Sequence, residues 1–130
     1  MSDRYVLDTH ALFWYLVNSP QLSESAKRVI AVAFAGEATL ILSPIVLLEL
    51  YGLARKVKAP FDFAAELELF EQPPFLIEPI ASADLRLLDR LSGIPELHDR
   101  LIAATAMRLN APILTRDPQI TACAEVTCIW

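Results

Sequence analysis

The segment of residues 39–44, Thr39-Leu40-Ile41-Leu42-Ser43-Pro44, gives the clearest indication of the architecture. Its first four residues form a nearly continuous apolar run, which is typical of strands buried on both faces of a parallel sheet. Ser43 suits the N-cap of a helix and Pro44 suits the first helical position, so a helix is predicted over residues 44–56. A buried strand that leads directly into a helix is the repeating unit of an α/β domain.

The same alternation of strand and helix continues along the whole chain. Strands are predicted at residues 5–7, 39–42, 75–77, 113–115 and 126–129. Helices are predicted at residues 11–17, 22–34 (with Ser23 as N-cap and Gly36 as stop), 44–56, 62–70 (with Asp62 as N-cap), 83–91 (with Ser82 as N-cap) and 98–109. With right-handed crossovers this order predicts an α/β fold, a three-layer α/β/α domain with a central parallel sheet of four to five strands. Residues 1–130 are expected to form a single domain.

Composition and charge narrow the possible classes of protein. A hydrophobic share of 55% with 21% charged residues excludes a disordered chain. The densest apolar run, residues 29–35, is far shorter than the roughly 18–20 residues that a bilayer requires, so no membrane span is expected. The two cysteines and the start Met1-Ser2-Asp3-Arg4 lead us to expect a reducing cytoplasm rather than a disulfide scaffold. The net charge of −5 excludes a polybasic nucleic-acid binder but not a nuclease, because metal-binding carboxylates count as negative until the metal is added.

Acidic residues stand where the predicted strands end. Asp8 follows the first strand, and Glu49 lies one to two turns into the helix after the second. Asp99 opens the helix before the fourth strand, which ends in Thr115 and Asp117. Because ligands of open parallel sheets bind beyond the carboxyl ends of the strands, these side chains are expected to converge on one edge.

A cluster of these acids requires a compensating cation. Two carboxylates about 5 Å apart repel each other by roughly 3 kcal/mol at an effective dielectric constant of ~20. Such a cluster persists only with a bound cation or with some carboxyls protonated. Oxygen ligands without cysteine or histidine select Mg²⁺ or Mn²⁺, which activate water for phosphodiester hydrolysis.

Each acid also has a purely structural explanation, which the sequence leaves open. Asp8 and Asp99 could be helix N-caps, and Asp117 before Pro118 could be a turn residue. Glu49, within an apolar stretch, could form a buried ion pair with an arginine.

Four blocks of the sequence resemble the PIN-domain ribonucleases, and most closely the VapC toxins of type II toxin–antitoxin systems. The similarity spans nearly the whole chain, and the third block is the most specific. The blocks are Val6-Leu7-Asp8-Thr9-His10-Ala11-Leu12, then Ser43-Pro44 with Glu49, then Asp99-Arg100-Leu101-Ile102-Ala103-Ala104-Thr105-Ala106, and finally Leu114-Thr115-Arg116-Asp117.

The resemblance implies roles for individual residues and partners. Asp8, Glu49, Asp99 and Asp117 would be the catalytic, metal-binding acids, and the Thr115 hydroxyl would support a carboxylate or a water, as would that of Thr9. Glu96 stands where many relatives carry a further acid, and we interpret it as a loop carboxylate. The family further implies Mg²⁺-dependent (or Mn²⁺-dependent) cleavage of an RNA substrate, a homodimer, and a cognate antitoxin protein that wraps the toxin and inserts a basic side chain near the acids.

Other functions compete with this interpretation. A non-catalytic α/β signalling module, such as a phospho-acceptor receiver domain, would need an acidic pair after the first strand, but Leu7 precedes Asp8. A related domain retained only for partner binding would not need all four acids. His10 and His98 could act as general base and acid without a metal, which would leave the carboxylates unexplained.

Residues beside the acids have open roles as well. Arg100 and Arg116 could balance the acids or hold an RNA backbone. Trp14 could belong to the core, to a dimer contact, or to a platform for a base.

Overall fold

A computed structural model describes residues 3–130 of the chain and shows a five-stranded, wholly parallel sheet flanked by helices. The strand order is β3-β2-β1-β4-β5. The strands are β1 (Asp3–Leu7), β2 (Ala38–Leu42), β3 (Phe75–Ile77), β4 (Ile113–Leu114) and β5 (Cys128–Ile129). The helices are α1 (Thr9–Leu16), α2 (Glu24–Phe34), α3 (Pro44–Lys56), α4 (Phe63–Phe70), α5 (Ser82–Arg86), α6 (Leu97–Leu109) and α7 (Pro118–Thr121). The predicted α/β fold is confirmed, and Met1 and Ser2, on which the expected location in the cytoplasm partly rests, lie outside the described residues.

Helix starts follow the local capping chemistry that the sequence indicates. The Ser43 hydroxyl accepts a hydrogen bond from the Ile45 amide at 3.3 Å, and Pro44 is the first residue of α3. Ser23 and Asp62 cap α2 and α4 in the same way. These caps place the first turn of each helix close to the end of the preceding segment.

The predicted helix over residues 83–91 is wrong in both its cap and its length. The structure has α5 at Ser82–Arg86 with Ala81 before it, and turns follow Arg86. The reason is Asp84, whose carboxylate accepts a hydrogen bond from the Ala81 amide at 2.9 Å and thereby sets the helix start one residue earlier. The short helix α7 was not predicted, and β4 ends at Leu114 rather than at Thr115.

Asp84 is also the centre of a buried ion pair between α5 and α6. Its side chain is fully buried, and Arg108 donates to its two oxygens from Nε at 2.5 Å and from Nη2 at 3.2 Å. Arg108 further contacts Glu78 Oε1 at 3.5 Å and donates to the Pro79 carbonyl. One arginine therefore joins three segments of the chain.

The centre of the sheet is the most deeply buried part of the domain. Val6 and Leu7 of β1 and Leu40, Ile41 and Leu42 of β2 have no exposed surface. Such complete burial is what the nearly continuous apolar run at residues 39–42 predicts. Among residues 3–130, no helix has the length and apolar character that crossing a membrane demands. The fully buried part of β1 thus extends to its last residue, Leu7, immediately before Asp8.

Candidate active site

Two of the predicted site residues follow adjacent strands in the middle of the sheet. Asp8 comes directly after β1, and Asp117 comes shortly after β4. The two strands are hydrogen-bonded neighbours, with Leu7 paired to Leu114. From β1 the chain moves outward to β2 and β3 and then returns to the other side as β4, so a crevice opens between β1 and β4, where ligands of parallel sheets bind.

Helices bring the other two acids to this crevice. Glu49 lies in the second turn of α3, whose start is set by Ser43, and Asp99 is the third residue of α6. Because α3 and α6 pack against each other, both carboxylates face the same opening. The resulting cleft has a volume of about 370 Å³ and is lined by Asp8, Thr9, His10, Glu49, Leu53, Glu96, Asp99 and Asp117.

Asp8 is both a helix cap and a wall of the cleft. It is only 8% exposed, and its Oδ1 accepts a hydrogen bond from the Ala11 amide at 2.8 Å. Its Oδ2 accepts a hydrogen bond from the Thr115 hydroxyl. Burial raises the pKa of the Asp8 carboxyl above its ordinary value, although the bonds from Thr115 and Ala11 act in the opposite direction. The structural and functional explanations of Asp8 are therefore compatible.

The buried Thr115 hydroxyl connects the acids of the two strands. Besides donating to Asp8, its Oγ1 accepts a hydrogen bond from the Asp117 amide at 3.0 Å. Asp117 in turn caps α7, since its Oδ1 accepts from the Gln119 amide at 2.9 Å. Thr115 thus supports a carboxylate, in the position that the sequence led us to expect.

The carboxylate of Glu49 contacts a hydroxyl group and a histidine ring rather than an arginine. Thr9 donates from its hydroxyl to Glu49 Oε1 at 2.7 Å. His98 Nδ1 lies 3.1 Å from Glu49 Oε2, where it can donate to the other oxygen. The alternative of an arginine ion pair is therefore wrong. This contact of His98 was not predicted, although the position of His98 next to Asp99, in the first turn of α6, was a usable signal.

The pKa of Asp99 responds to its burial and to the negative charge of the acids around it. Its carboxyl has its pKa raised to about 6, first by burial and then by the charges of Asp117, Glu49, Glu96 and Asp8. The cap alternative for Asp99 is wrong, because the residue before α6 is Glu96 and no side chain caps this helix. An acid in this first turn is still favoured by the helix dipole.

The chain matches the family model of the PIN domain over residues 5–126. It belongs to the PIN domain family. A search of the curated proteins found no match. The resemblance drawn from the four sequence blocks is confirmed at the level of the family.

Solved structures share this PIN fold over almost their whole length. VapBC2 of Rickettsia felis, bound to a DNA fragment from its promoter, is 20% identical with a TM-score of 0.74, covering 97% of this chain and 97% of that one. FitAcB of Neisseria gonorrhoeae is 22% identical with a TM-score of 0.68, covering 97% and 96%. VapC20 of Mycobacterium tuberculosis, a sarcin–ricin loop cleaving toxin, is 17% identical with a TM-score of 0.70, covering 95% and 98%. At these identities the likeness concerns the fold.

The acids of this PIN domain fit a hard divalent cation by their chemistry. The cleft offers carboxylate oxygens, which suit Mg²⁺ or Mn²⁺, and the pKa of Asp99 is raised by burial and then by neighbouring negative charges, whose repulsion a cation would relieve. Within residues 3–130, no three histidine, cysteine or acidic groups are gathered closely enough to enclose an ion. Mg²⁺ keeps several of its waters and needs only one or two direct carboxylates, so a closed cage is not required.

The two arginines beside the acids have different surroundings. Arg100 donates from Nε to the Ile94 carbonyl at 2.6 Å and from Nη2 to that of Ser92 at 3.5 Å. It therefore fixes the loop before α6 in this PIN domain. Arg116 lies instead over the ring of Trp14, at the rim of the site.

Replacing Thr115 with valine is expected to destabilise the PIN domain by about 1–3 kcal/mol, because Asp8 and the Asp117 amide lose a buried partner. The hydroxyl favours the ionised form of Asp8, so its removal should raise the pKa of that carboxyl further. Urea unfolding at pH 7 measures the loss. Thr115→Ser keeps both hydrogen bonds and is the control. A valine variant as stable as the wild type would contradict the linking role of the hydroxyl.

Proposed function

We propose that this PIN domain is a metal-dependent endoribonuclease that acts as the toxin of a toxin–antitoxin pair. The observation that carries the proposal is the set of acids on one cleft, where burial and then four neighbouring carboxylates raise the pKa of Asp99 to about 6. A polar site with a compact negative charge suits a divalent cation and, through it, a phosphodiester substrate.

Asp8, Glu49, Asp99 and Asp117 are the residues that would hold Mg²⁺ or Mn²⁺. When bound, such an ion activates a water molecule and stabilises negative charge on a phosphate oxygen. The Thr115 hydroxyl and the Ala11 amide keep the Asp8 carboxylate in one orientation. Thr9 and His98 hold the two oxygens of Glu49. The chain thus supplies fixed acids and, at His98, a group that orients one of them.

Exposed apolar surface supports a partner protein. Phe34, Leu69 and Leu76 are each about half exposed, at 52%, 57% and 49%. They lie at two open grooves of about 500 Å³ each, both bordered by Phe34, Pro73 and Phe75. Exposed apolar side chains grouped in this way mark association sites. We therefore propose an antitoxin and a second copy of the chain as binding partners, in agreement with the toxin–antitoxin complexes among the solved structures of this fold.

Cleavage of RNA by the purified protein is expected to require Mg²⁺ or Mn²⁺ and to stop on addition of EDTA, because acids without a cation repel a phosphate and cannot stabilise the negative charge that develops on it. The measurement is a gel assay on a labelled single-stranded or stem-loop RNA, with excess Mg²⁺ restoring activity after EDTA. The His10→Ala variant is assayed in the same way, in order to distinguish a mechanism based on histidine from one based on a metal ion. Cleavage that survives EDTA and disappears in His10→Ala would replace the metal mechanism with one based on histidine.

A further inference from the structure

A smaller second cavity adjoins the acidic cleft. It has a volume of about 270 Å³ and is lined by Asp8, His10, Trp14, Arg116, Asp117 and Pro118. Asp8, His10 and Asp117 belong to both cavities. Pockets for drug-sized ligands span roughly 300–1,000 Å³, so this space suits a smaller group, such as one phosphate with part of its sugar.

Arg116 is fixed in this cavity by neutral partners. The carbon of its guanidinium lies 4.4 Å from the centre of the Trp14 ring, a cation–π distance. Its Nη2 donates a hydrogen bond to the side-chain oxygen of Gln21 at 2.5 Å. Trp14 itself is only 9% exposed and meets Trp130 edge to face at 5.7 Å. The indole of Trp14 therefore supports the guanidinium of Arg116 and is too buried to stack on a nucleobase.

The positive charge of Arg116 is not used by the neighbouring acids. Asp8 and Asp117 share its cavity, yet none of the ion pairs within residues 3–130 involves Arg116. By contrast, Arg108 and Arg90 each pair with carboxylates. An oriented guanidinium without a carboxylate partner is suited to the planar, two-pronged recognition of a phosphate.

We propose that Arg116 and the exposed His10 form a subsite for an RNA phosphate adjacent to the bond that the acidic cleft cleaves. This inference rests on the nuclease function proposed above. A chain of net charge −5 with an acidic cleft repels a polyanion, so a fixed cation at the edge of the acids is needed to position the backbone. A contact to phosphate sets the register of the strand without reading its sequence.

The test is the salt dependence of RNA binding in the Asp99→Asn background, where cleavage is expected to be absent. A short fluorescein-labelled oligouridylate is titrated with protein in Mg²⁺ buffer at several KCl concentrations, and anisotropy gives the Kd. Adding Arg116→Gln is expected to raise the Kd about tenfold, because a charge-assisted contact is lost. It should also reduce the slope of log K against log[KCl] by about 0.7, the value for one phosphate of a single strand.

Two further variants make the result specific. Arg116→Lys keeps the charge and should keep the slope. Arg86→Gln removes the same charge from an exposed position on α5 that lines neither cavity, and it should change neither Kd nor slope. Because Trp14 lines this subsite and packs against Trp130, RNA should also change intrinsic fluorescence in the Asp99→Asn protein, and should change it much less with Arg116→Gln.

The outcomes separate this subsite from the nuclease proposal. An unchanged slope in Arg116→Gln, an equal loss in Arg86→Gln, or no measurable binding of RNA would overturn the subsite. If the wild type cleaves RNA but Arg116→Gln does not change RNA binding, only the subsite is refuted. RNA that binds through Arg116 but is never cleaved by the wild type refutes the nuclease alone. Loss of protein-partner binding in Arg116→Gln with RNA binding intact would assign the surface to a protein instead.

Discussion

The Asp99→Asn variant is expected to lose RNA cleavage by at least about 100-fold while becoming more stable than the wild type in metal-free buffer at pH 7.5. The activity falls because a metal ion contributes several kcal/mol of charge stabilisation in the transition state, and each 1.4 kcal/mol is about tenfold in rate. In the host cell, induced wild-type protein should arrest growth and Asp99→Asn should not.

The gain in stability depends on pH, and its sign follows from the pKa of Asp99. Because that pKa is raised from 3.8 to about 6, the folded protein holds the proton more tightly than the unfolded chain does. The contribution of Asp99 is therefore most favourable below pH 4, falls as the pH rises towards 6, and is fully unfavourable above it. Allowing for solvent screening, asparagine should gain about 2 kcal/mol at pH 7.5 and almost nothing at pH 4.

Urea unfolding at the two pH values in EDTA measures this difference. Glu68→Gln removes an acid from an exposed position on α4 that lines neither the acidic cleft nor the Arg116 cavity, and it should leave the stability nearly unchanged at both pH values. Added Mg²⁺ should stabilise the wild type more than Asp99→Asn. A variant that is less stable than the wild type at pH 7.5 would show that Asp99 has a structural role and that its neighbours do not repel it.

Replacing Arg108 with alanine is expected to destabilise the fold by about 3–5 kcal/mol, because it leaves the fully buried Asp84 without its partner. A loss of that size approaches the whole stability of a small domain, which is about 5–15 kcal/mol. Arg108→Lys keeps a cation near Asp84 and should lose less, so the effect remains measurable if the alanine variant does not fold. Chemical unfolding monitored by circular dichroism gives the free energies.

A matched control tests whether burial is the cause. Arg90 and Glu125 form an exposed ion pair at 2.7 Å. Arg90→Ala therefore removes an ion pair but leaves no buried charge without a partner. It should cost no more than about 1 kcal/mol. Adding Asp84→Ala to Arg108→Ala should recover part of the loss, since the unpaired carboxylate is then gone. Equal losses in Arg90→Ala and Arg108→Ala would refute the argument.

Local chemistry explains what could be predicted from the sequence. Three helices begin at residues whose side chains accept a hydrogen bond from an amide two or three residues further along the chain: Ser43, Ser23 and Asp62. Such short-range contacts can be recognised from the sequence. Parallel topology brings the segments that carry the acids to one edge of the sheet, and the packing of α3 against α6 turns Glu49 and Asp99 towards the same opening. The prediction therefore succeeded for the order of the elements other than α7 and for the convergence of the acids on one cleft.

Contacts between distant segments explain what could not be predicted. Ser82 is not the N-cap that was predicted, because Asp84 accepts the hydrogen bond of the Ala81 amide at the start of α5. Arg108, which lies on α6, donates to the carboxylate of Asp84. Glu49 proved to be held by Thr9 and His98, and the contact with His98 depends on how α3 and α6 pack. In each case several chemically suitable partners were present in the chain, and only the tertiary fold selects one.

The position of β4 in the sheet has a consequence for synthesis of the protein. Asp8 is synthesised 107 residues before Thr115, which orients its carboxylate, and β1 pairs with β4 through Val6 with Ile113 and Leu7 with Leu114. A nascent polypeptide on the ribosome therefore lacks the strand that completes the crevice. Any chemistry that needs Asp8 and Asp117 together therefore begins only after β4 and the residues that follow it have been synthesised.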